Sequence, residues 1–174
     1  MRMEELLDLE ERGRLPEFVL FWGGKKEKGR LSQWYPSPFT LDGVEYPTAE
    51  HYMMAEKARL FGDTAAAEKI LADPDPGRAK ALGRRVKGFD EDAWTAARYG
   101  IVVRGSIAKF DSDDRLRNYL YSTTGKVLVE ASPLDRVWGI GLDEHRPEAL
   151  QPSRWRGLNL LGFALMDARD ALSA

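Results

Sequence analysis

Residues 90–112, DEDAWTAARYGIVVRGSIAKFDS, decide the fold. Asp90 suits a helix N-cap, and Glu91 and Asp92 follow it where acidic side chains favour the positive end of the helix dipole. Trp94, Ala97, Ile101 and Ala108 return on a helical period, which predicts the longest helix of the chain with those residues as its core face. Helical segments crowd the sequence on either side. Pro47 and Thr48 start one that reaches Leu60 or Phe61 and stops at Gly62. Asp63 caps a second that ends near Ala72. Asp73-Pro74 and Asp75-Pro76 are cap-plus-N1 pairs for a third, expected to end at Gly88. Beyond the long helix, Asp111 or Ser112 begins another that runs to about Tyr121. Helices in succession, with no strand between them, exclude the strict strand–helix alternation of a doubly wound domain.

Strand signals lie only outside this block. Phe18 to Trp22 (FVLFW) reads as a buried strand, after which Gly23 and Gly24 open the polar loop GGKKEKGR, ending at Leu31. Residues 34–46, WYPSPFTLDGVEY, place an Asp42-Gly43 turn between short β-prone pieces and predict a hairpin. Lys126 to Ala131 (KVLVEA) is a strand broken by Ser132-Pro133, and Val137 to Ile140 is a further short apolar piece. A long loop with Pro147 and Pro152 leads to a closing helix from Gly157 to Ala171, with Leu160, Leu161, Ala164, Leu165 and Ala168 inward. The expected fold is α+β: a helix-rich single domain over residues 17–174 with a few short strands. Residues 1–16 form an N-terminal extension, with a peripheral amphipathic helix from Met1 to Arg12 through Leu6, Leu7 and Leu9.

Composition narrows the function. The 174 residues are 43% hydrophobic and 31% charged, a globular balance. With no cysteine there is no disulfide, thiolate metal site or cysteine nucleophile, which suits a reducing cytosol. The two histidines, His51 and His145, are far apart, so a histidine-built metal site is not expected. No apolar run approaches the roughly 20 residues of a spanning helix, and the acidic opening MRMEELLDLEERGRLPE lacks the apolar segment of a secretion signal, so a cytoplasmic protein is expected. The net charge of −2 disfavours a general nucleic-acid coat. Arginine nonetheless outnumbers lysine 17 to 9. That excess fits either a GC-rich genome or arginines that bind phosphate or carboxylate through the planar guanidinium fork.

The phosphate-loop, dinucleotide-binding, zinc-protease and serine-hydrolase motifs are all absent. Gly139-Ile140-Gly141 reads as a turn rather than a phosphate cradle. Three polar–aromatic clusters remain. In PTAEHYMMAEKA, Glu50 and Lys57 return to one helix face after two turns, about 10 Å apart, with Met53 and Met54 between them. The same spacing also suits a solvated face. In VLVEASPLDRVWGIG, Glu130 ends a strand and Asp135 precedes Trp138 by three residues, either as an acid beside an indole or as a turn-forming Asp beside a core Trp. In RWRGLNLLG, Arg154 and Arg156 flank Trp155 ahead of Asn159 at the head of the last helix, a phosphate site or an ordinary capped helix. Arg78, Lys80, Arg84, Arg85 and Lys87 form a basic run that is either a solvated helix face or a nucleic-acid contact.

Taken in order, FWGG, LSQWYPSPFTLDGVEYPTAEHYMMAEKA, the W-x3-R of Trp94 and Arg98, IAKF, VLVEASPLDRVWGIGL and WRGLNLLGFALMDAR resemble the NADAR family, also called YbiA-like, from Phe21 to Arg169. The resemblance implies an N-glycosidase. One kind of member cleaves the base–ribose bond of phosphorylated riboflavin-pathway intermediates. Another removes ADP-ribose from guanine in nucleic acid. It further implies that Glu50, Lys57, Asp135, Trp138 and Asn159 occupy pocket positions, with Trp94 and Lys109 as weaker matches. Trp22, Gly23, Trp34, Arg98, Glu130 and Arg156 fall in the same motifs as candidate substrate contacts. Gln33 stands where relatives carry Asn, one methylene longer.

Breaking an N-glycosidic bond builds positive charge on ribose C1 and negative charge on the departing base. A carboxylate by the sugar and a proton donor by the base are therefore needed, and Glu50 and Asp135 are the expected pair. Trp138 or Trp22 offers a face on which the base can stack. Lys57 either pairs with phosphate or attacks an opened ribose aldehyde as a neutral amine. The expected catalytic set is thus Glu50, Lys57 and Asp135, with no metal or other cofactor. The expected partner is a small ribosyl phosphate or ADP-ribosyl substrate, free or on DNA or RNA, and no membrane. A binding module for ADP-ribose without chemistry is the alternative from another class.

Overall fold

The computed structural model describes residues 1–23 and 27–174; Gly24, the second glycine of the expected polar loop, lies outside them. Four short strands and seven α-helices are described: α1 Met3–Glu11, β1 Phe18–Phe21, β2 Phe39–Leu41, β3 Val44–Tyr46, α2 Ala49–Leu60, α3 Thr64–Ala72, α4 Pro76–Gly83, α5 Glu91–Asp111, α6 Asp114–Tyr121, β4 Val127–Glu130 and α7 Leu160–Ser173. Short 3-10 turns occupy Glu27–Leu31, Pro147–Leu150 and Pro152–Arg154. This is the expected helix-rich α+β architecture.

Caps set most of the helix starts. Thr48, Asp63, Asp75 and Asp90 each accept a backbone N–H from the first turn of α2, α3, α4 and α5. Asp113 does the same for α6, so that helix begins at Asp114 rather than at Asp111 or Ser112. Helix α4 ends at Gly83, one turn or more before the expected Gly88. Its tight approach to α2 requires a glycine at that end: a Cβ at Gly83 would overlap the Met54 side chain. The hairpin forms as predicted, pairing Leu41 with Val44, with Asp42 at φ 52° and Gly43 at φ 76°. Both central residues are left-handed, as the primed turn matching strand twist requires.

Two of the expected faces shift. The buried face of α5 is Trp94, Val102, Gly105, Ser106, Lys109 and Phe110, whereas Ala97, Ile101 and Ala108 are half-buried. The helix packs on both α7 and α2, so its burial is set by two partners rather than one stripe. Strand β1 is buried only at Phe21 because it has a single neighbour, the parallel β4, in register Phe18↔Val127 to Phe21↔Glu130. Strand β4 carries the centre, with Val127, Leu128 and Val129 buried beneath α7. Helix α1 docks through Leu6, which is 0% exposed, and through Arg2, which contacts Tyr99 and Asp167. Through α5 the β1–β4–α7 layer meets the α2–α3–α4 layer, and a cleft opens between them.

Candidate active site

One wall of the cleft is a single helical stripe. Below the Thr48 cap, Glu50, Met53, Met54 and Lys57 recur at helical spacing and all line the cavity. His51, on another face, meets Thr48 Oγ1 at 2.8 Å through Nδ1 and the Asp73 carbonyl at 2.7 Å through Nε2. It thereby fixes the first turn of α2, where Glu50 sits, against the segment entering α4. The Glu50 backbone N–H donates to the Gln33 carbonyl at 3.0 Å, which binds the loop carrying Ser32, Gln33 and Trp34 to the same turn.

The facing wall is the end of β4 and the turn after it. Asp135 Oδ1 accepts from the backbone N–H of Val137 (2.8 Å) and of Trp138 (2.7 Å). The carboxylate therefore shapes the turn that presents Trp138, so the turn-forming and cleft-facing roles of Asp135 coincide. Ile140 N–H donates to the Glu130 carbonyl and folds the turn back onto β4. Asn159 completes the wall from behind. Fully buried in a left-handed conformation (φ 52°), it accepts from Glu130 N–H at 3.0 Å and donates to the Leu128 carbonyl at 3.0 Å, while its own N–H reaches Gly139. Its side chain gives no helix cap. Instead it registers β4 against the Asp135–Trp138 turn.

Four carboxyl groups line the cavity, Glu50, Glu91, Glu130 and Asp135, and two are strongly perturbed. Glu50 is 4% exposed, and burial pushes its carboxyl up to about 7; Lys80, Arg84 and Lys57 oppose that rise, and Asp135 adds to it. Burial, followed by Asp135 and Glu50, pushes Glu130 up to about 8. Its Oε2 is buried without a hydrogen-bond partner among the described residues. Lys57 is pulled below the ordinary lysine value by burial and by Arg84, against Glu91 and Glu50. Its Nζ lies 4.5 Å from the Phe89 ring centre and 5.4 Å from that of Trp94, between aromatic faces. Carboxyls holding protons near neutrality in one cavity are chemically suited to the divided acid and base roles that glycosyl transfer to water requires.

The cleft, of about 430 Å³, thus brings together Trp34, Glu50, Lys57, Trp94, Arg98, Glu130, Asp135 and Trp138. Trp22, Gly23, Lys109, Arg156 and Asn159 do not line it. Trp22 is 52% exposed beyond β1, Gly23 is exposed, and Arg156 is exposed with its backbone N–H on the Ile140 carbonyl. Lys109 is 1% exposed and donates to the carbonyls of Arg30 (2.7 Å) and Ser32 (2.8 Å), beneath the Gln33 loop. Sequence reasoning missed Lys80 and Arg84, which turn out of the basic run into the cleft, and also Phe89, Glu91 and Arg136. The spacing of 80, 83 and 84, with a glycine at 83, was the signal available for the first two.

Residues 20–173 match the NADAR domain model. The chain belongs to the NADAR family. N-glycosidase R617 of Acanthamoeba polyphaga mimivirus is a NADAR relative 40% identical over 162 residues, covering 88% of this chain and 95% of that protein. N-glycosidase YbiA of Shigella flexneri serotype 5b is 29% identical over 89% of this chain and 88% of its own. The NMR structure of Escherichia coli YbiA matches 91% of this chain and 86% of that one, with a TM-score of 0.75 at 28% identity. A riboflavin biosynthesis protein, PYRR of Zea mays chloroplasts, is 35% identical over 75% of this chain, which spans 20% of that protein. Like these NADAR glycosidases, the chain is a hydrolase acting on N-glycosyl bonds. Among the described residues no helix is long and apolar enough to cross a membrane.

Proposed function

We propose that the chain hydrolyses the bond between ribose C1 and a base nitrogen in a phosphorylated riboflavin-pathway intermediate or a closely related ribosyl nucleotide. The observation that carries this reading is the convergence of Glu50, Glu130 and Asp135 with Trp138, Trp94 and Lys57 around one cavity. At about 430 Å³ it lies toward the small end of the roughly 300–1,000 Å³ range of ligand pockets, a size suited to one base, one ribose and one phosphate. The maize relative, a riboflavin biosynthesis protein, supports the substrate class.

In the reaction the C1–N bond breaks and its electron pair passes to the base nitrogen. Glu50, protonated into the neutral range, gives that nitrogen its proton, and Glu130 replenishes it. Asp135 lies on the sugar side as the counter-charge to the C1 cation. Water adds its oxygen to C1 and returns its proton to the carboxylates. Lys57, a cleft amine with no anionic hydrogen-bond partner among the described residues, is the candidate for attack on C1 in a covalent variant, in which water later releases the sugar.

The test offers the purified protein a riboflavin-pathway ribosyl phosphate and a guanine-ADP-ribosylated oligonucleotide side by side, with products read by mass spectrometry. Free aminopyrimidine and ribose phosphate are expected. Release of ADP-ribose from the oligonucleotide alone would transfer the assignment to nucleic-acid repair. Thermal stabilisation by ligand with no cleavage of either would make the chain a binding module.

A further inference from the structure

Cationic side chains gather at the cleft of a protein whose net charge is −2. Lys57, Lys80, Arg84, Arg98 and Arg136 line it against four carboxyl groups, and two of those, Glu50 and Glu130, hold protons into the neutral range. The cations are also idle. Arg2, Arg59, Arg78, Arg104, Arg117 and Arg146 are each engaged in ion pairs, whereas Lys80, Arg84, Arg98 and Arg136 hold none among the described residues. Lys80 on α4 and Arg84 at its C-terminal cap are four residues apart, and the close approach of Gly83 to Met54 seats that face against α2. Both act electrostatically on Glu50, and Lys80 also on Glu130, so they flank the carboxyl end of the cavity without neutralising it.

We propose that Lys80 and Arg84 form the phosphate-binding arm of the site, a subsite for the phosphomonoester of the ribosyl substrate, which extends the reading given above. A compact ammonium and a planar guanidinium on successive turns can grip different oxygens of one phosphate. Helix α4 contributes no carboxylate to the cleft, which leaves this wall free for an anion. The arm also explains why two members of an otherwise exposed basic run face inward.

Isothermal titration with ribose 5-phosphate tests the subsite without requiring turnover. Wild type should bind it, and Lys80→Met and Arg84→Met should each weaken binding by about tenfold, the scale of one charge-assisted hydrogen bond, with melting temperatures unchanged. In turnover assays the same variants should raise KM for the phosphorylated substrate far more than for its dephosphorylated counterpart, so the preference between the two collapses. Wild-type affinity for ribose 5-phosphate in both variants, or none in wild type, overturns the arm. A shifted pH profile with the phosphate preference intact would show that the cations only tune Glu50, and that also overturns it. If no ribosyl phosphate is cleaved yet sugar-phosphate binding is lost in the variants, the substrate reading fails and the subsite stands.

Discussion

Lys109 is buried and Lys57 half-buried, and burial holds both below the ordinary lysine value, Lys109 down to about 7. Their partners differ entirely. Lys109 spends its N–H groups on two backbone carbonyls, at 2.7 and 2.8 Å, and closes off the underside of the Gln33 loop. Lys57 faces an open cavity between the rings of Phe89 and Trp94, with Glu50 two turns away on the same helix face. Burial alone therefore does not mark a chemical lysine. Unspent hydrogen-bonding capacity in a cavity does, and by that measure we propose Lys57 for the reaction and Lys109 for the scaffold.

The largest expected effect is at Glu50, on the same helix face as Lys57. Glu50→Gln should lower kcat by about 10²- to 10⁴-fold, the range of a lost general acid, with the fold intact by circular dichroism. Lys57→Met comes next, with a loss of about a hundredfold or more in kcat/KM and little change in melting. Borohydride added during turnover should trap a sugar on Lys57 if the covalent variant operates, and full activity in Lys57→Arg would remove it. Lys109→Met should do the reverse. Leaving two buried carbonyls unpaired costs about 1–3 kcal/mol, lowering the melting temperature by several degrees, and the loosened loop should raise KM more than it lowers kcat. If Lys57→Met unfolds the protein while Lys109→Met leaves it stable and inactive, the two roles are exchanged.

The smallest expected effect is linkage between pH and stability. Glu50 is raised from 4.5 to about 7 in the folded chain, so between those values the folded state binds more protons than the unfolded one, and its stability falls as pH rises. Removing the carboxyl in Glu50→Gln should therefore stabilise the protein at about pH 8.5, with the difference shrinking as pH approaches 4.5. The rate should correspondingly decline above about 7, as Glu50 loses the proton it donates. Lys109 runs the other way. Its folded value lies below its unfolded one, so the penalty for keeping it buried is relieved as pH rises from about 7.

Local chemistry made much of this legible. Thr48, Asp63, Asp75 and Asp90 announced helix starts because a cap needs only its own first turn, and Asp42-Gly43 announced the hairpin for the same reason. The Glu50–Lys57 stripe followed from helical geometry, and the order of the clusters pointed to the family. What escaped was set at long range. The parallel pairing of β1 with β4 joins segments separated by most of the chain, and it leaves Trp22 outside the cleft. Asn159 resembles a cap in sequence, but its amide is taken by β4. Lys80 and Arg84 looked like solvated charges because only the seating of Gly83 on Met54 turns their face inward.

Turnover in ¹⁸O-labelled water reads the central claim directly, because hydrolysis at C1 assigns every atom. With a riboflavin-pathway ribosyl phosphate, wild type should release unlabelled free base and ribose phosphate carrying the label, and Glu50→Gln should release both at least about a hundredfold more slowly. Saturable, stabilising binding of that substrate with no base released by wild type would contradict the account.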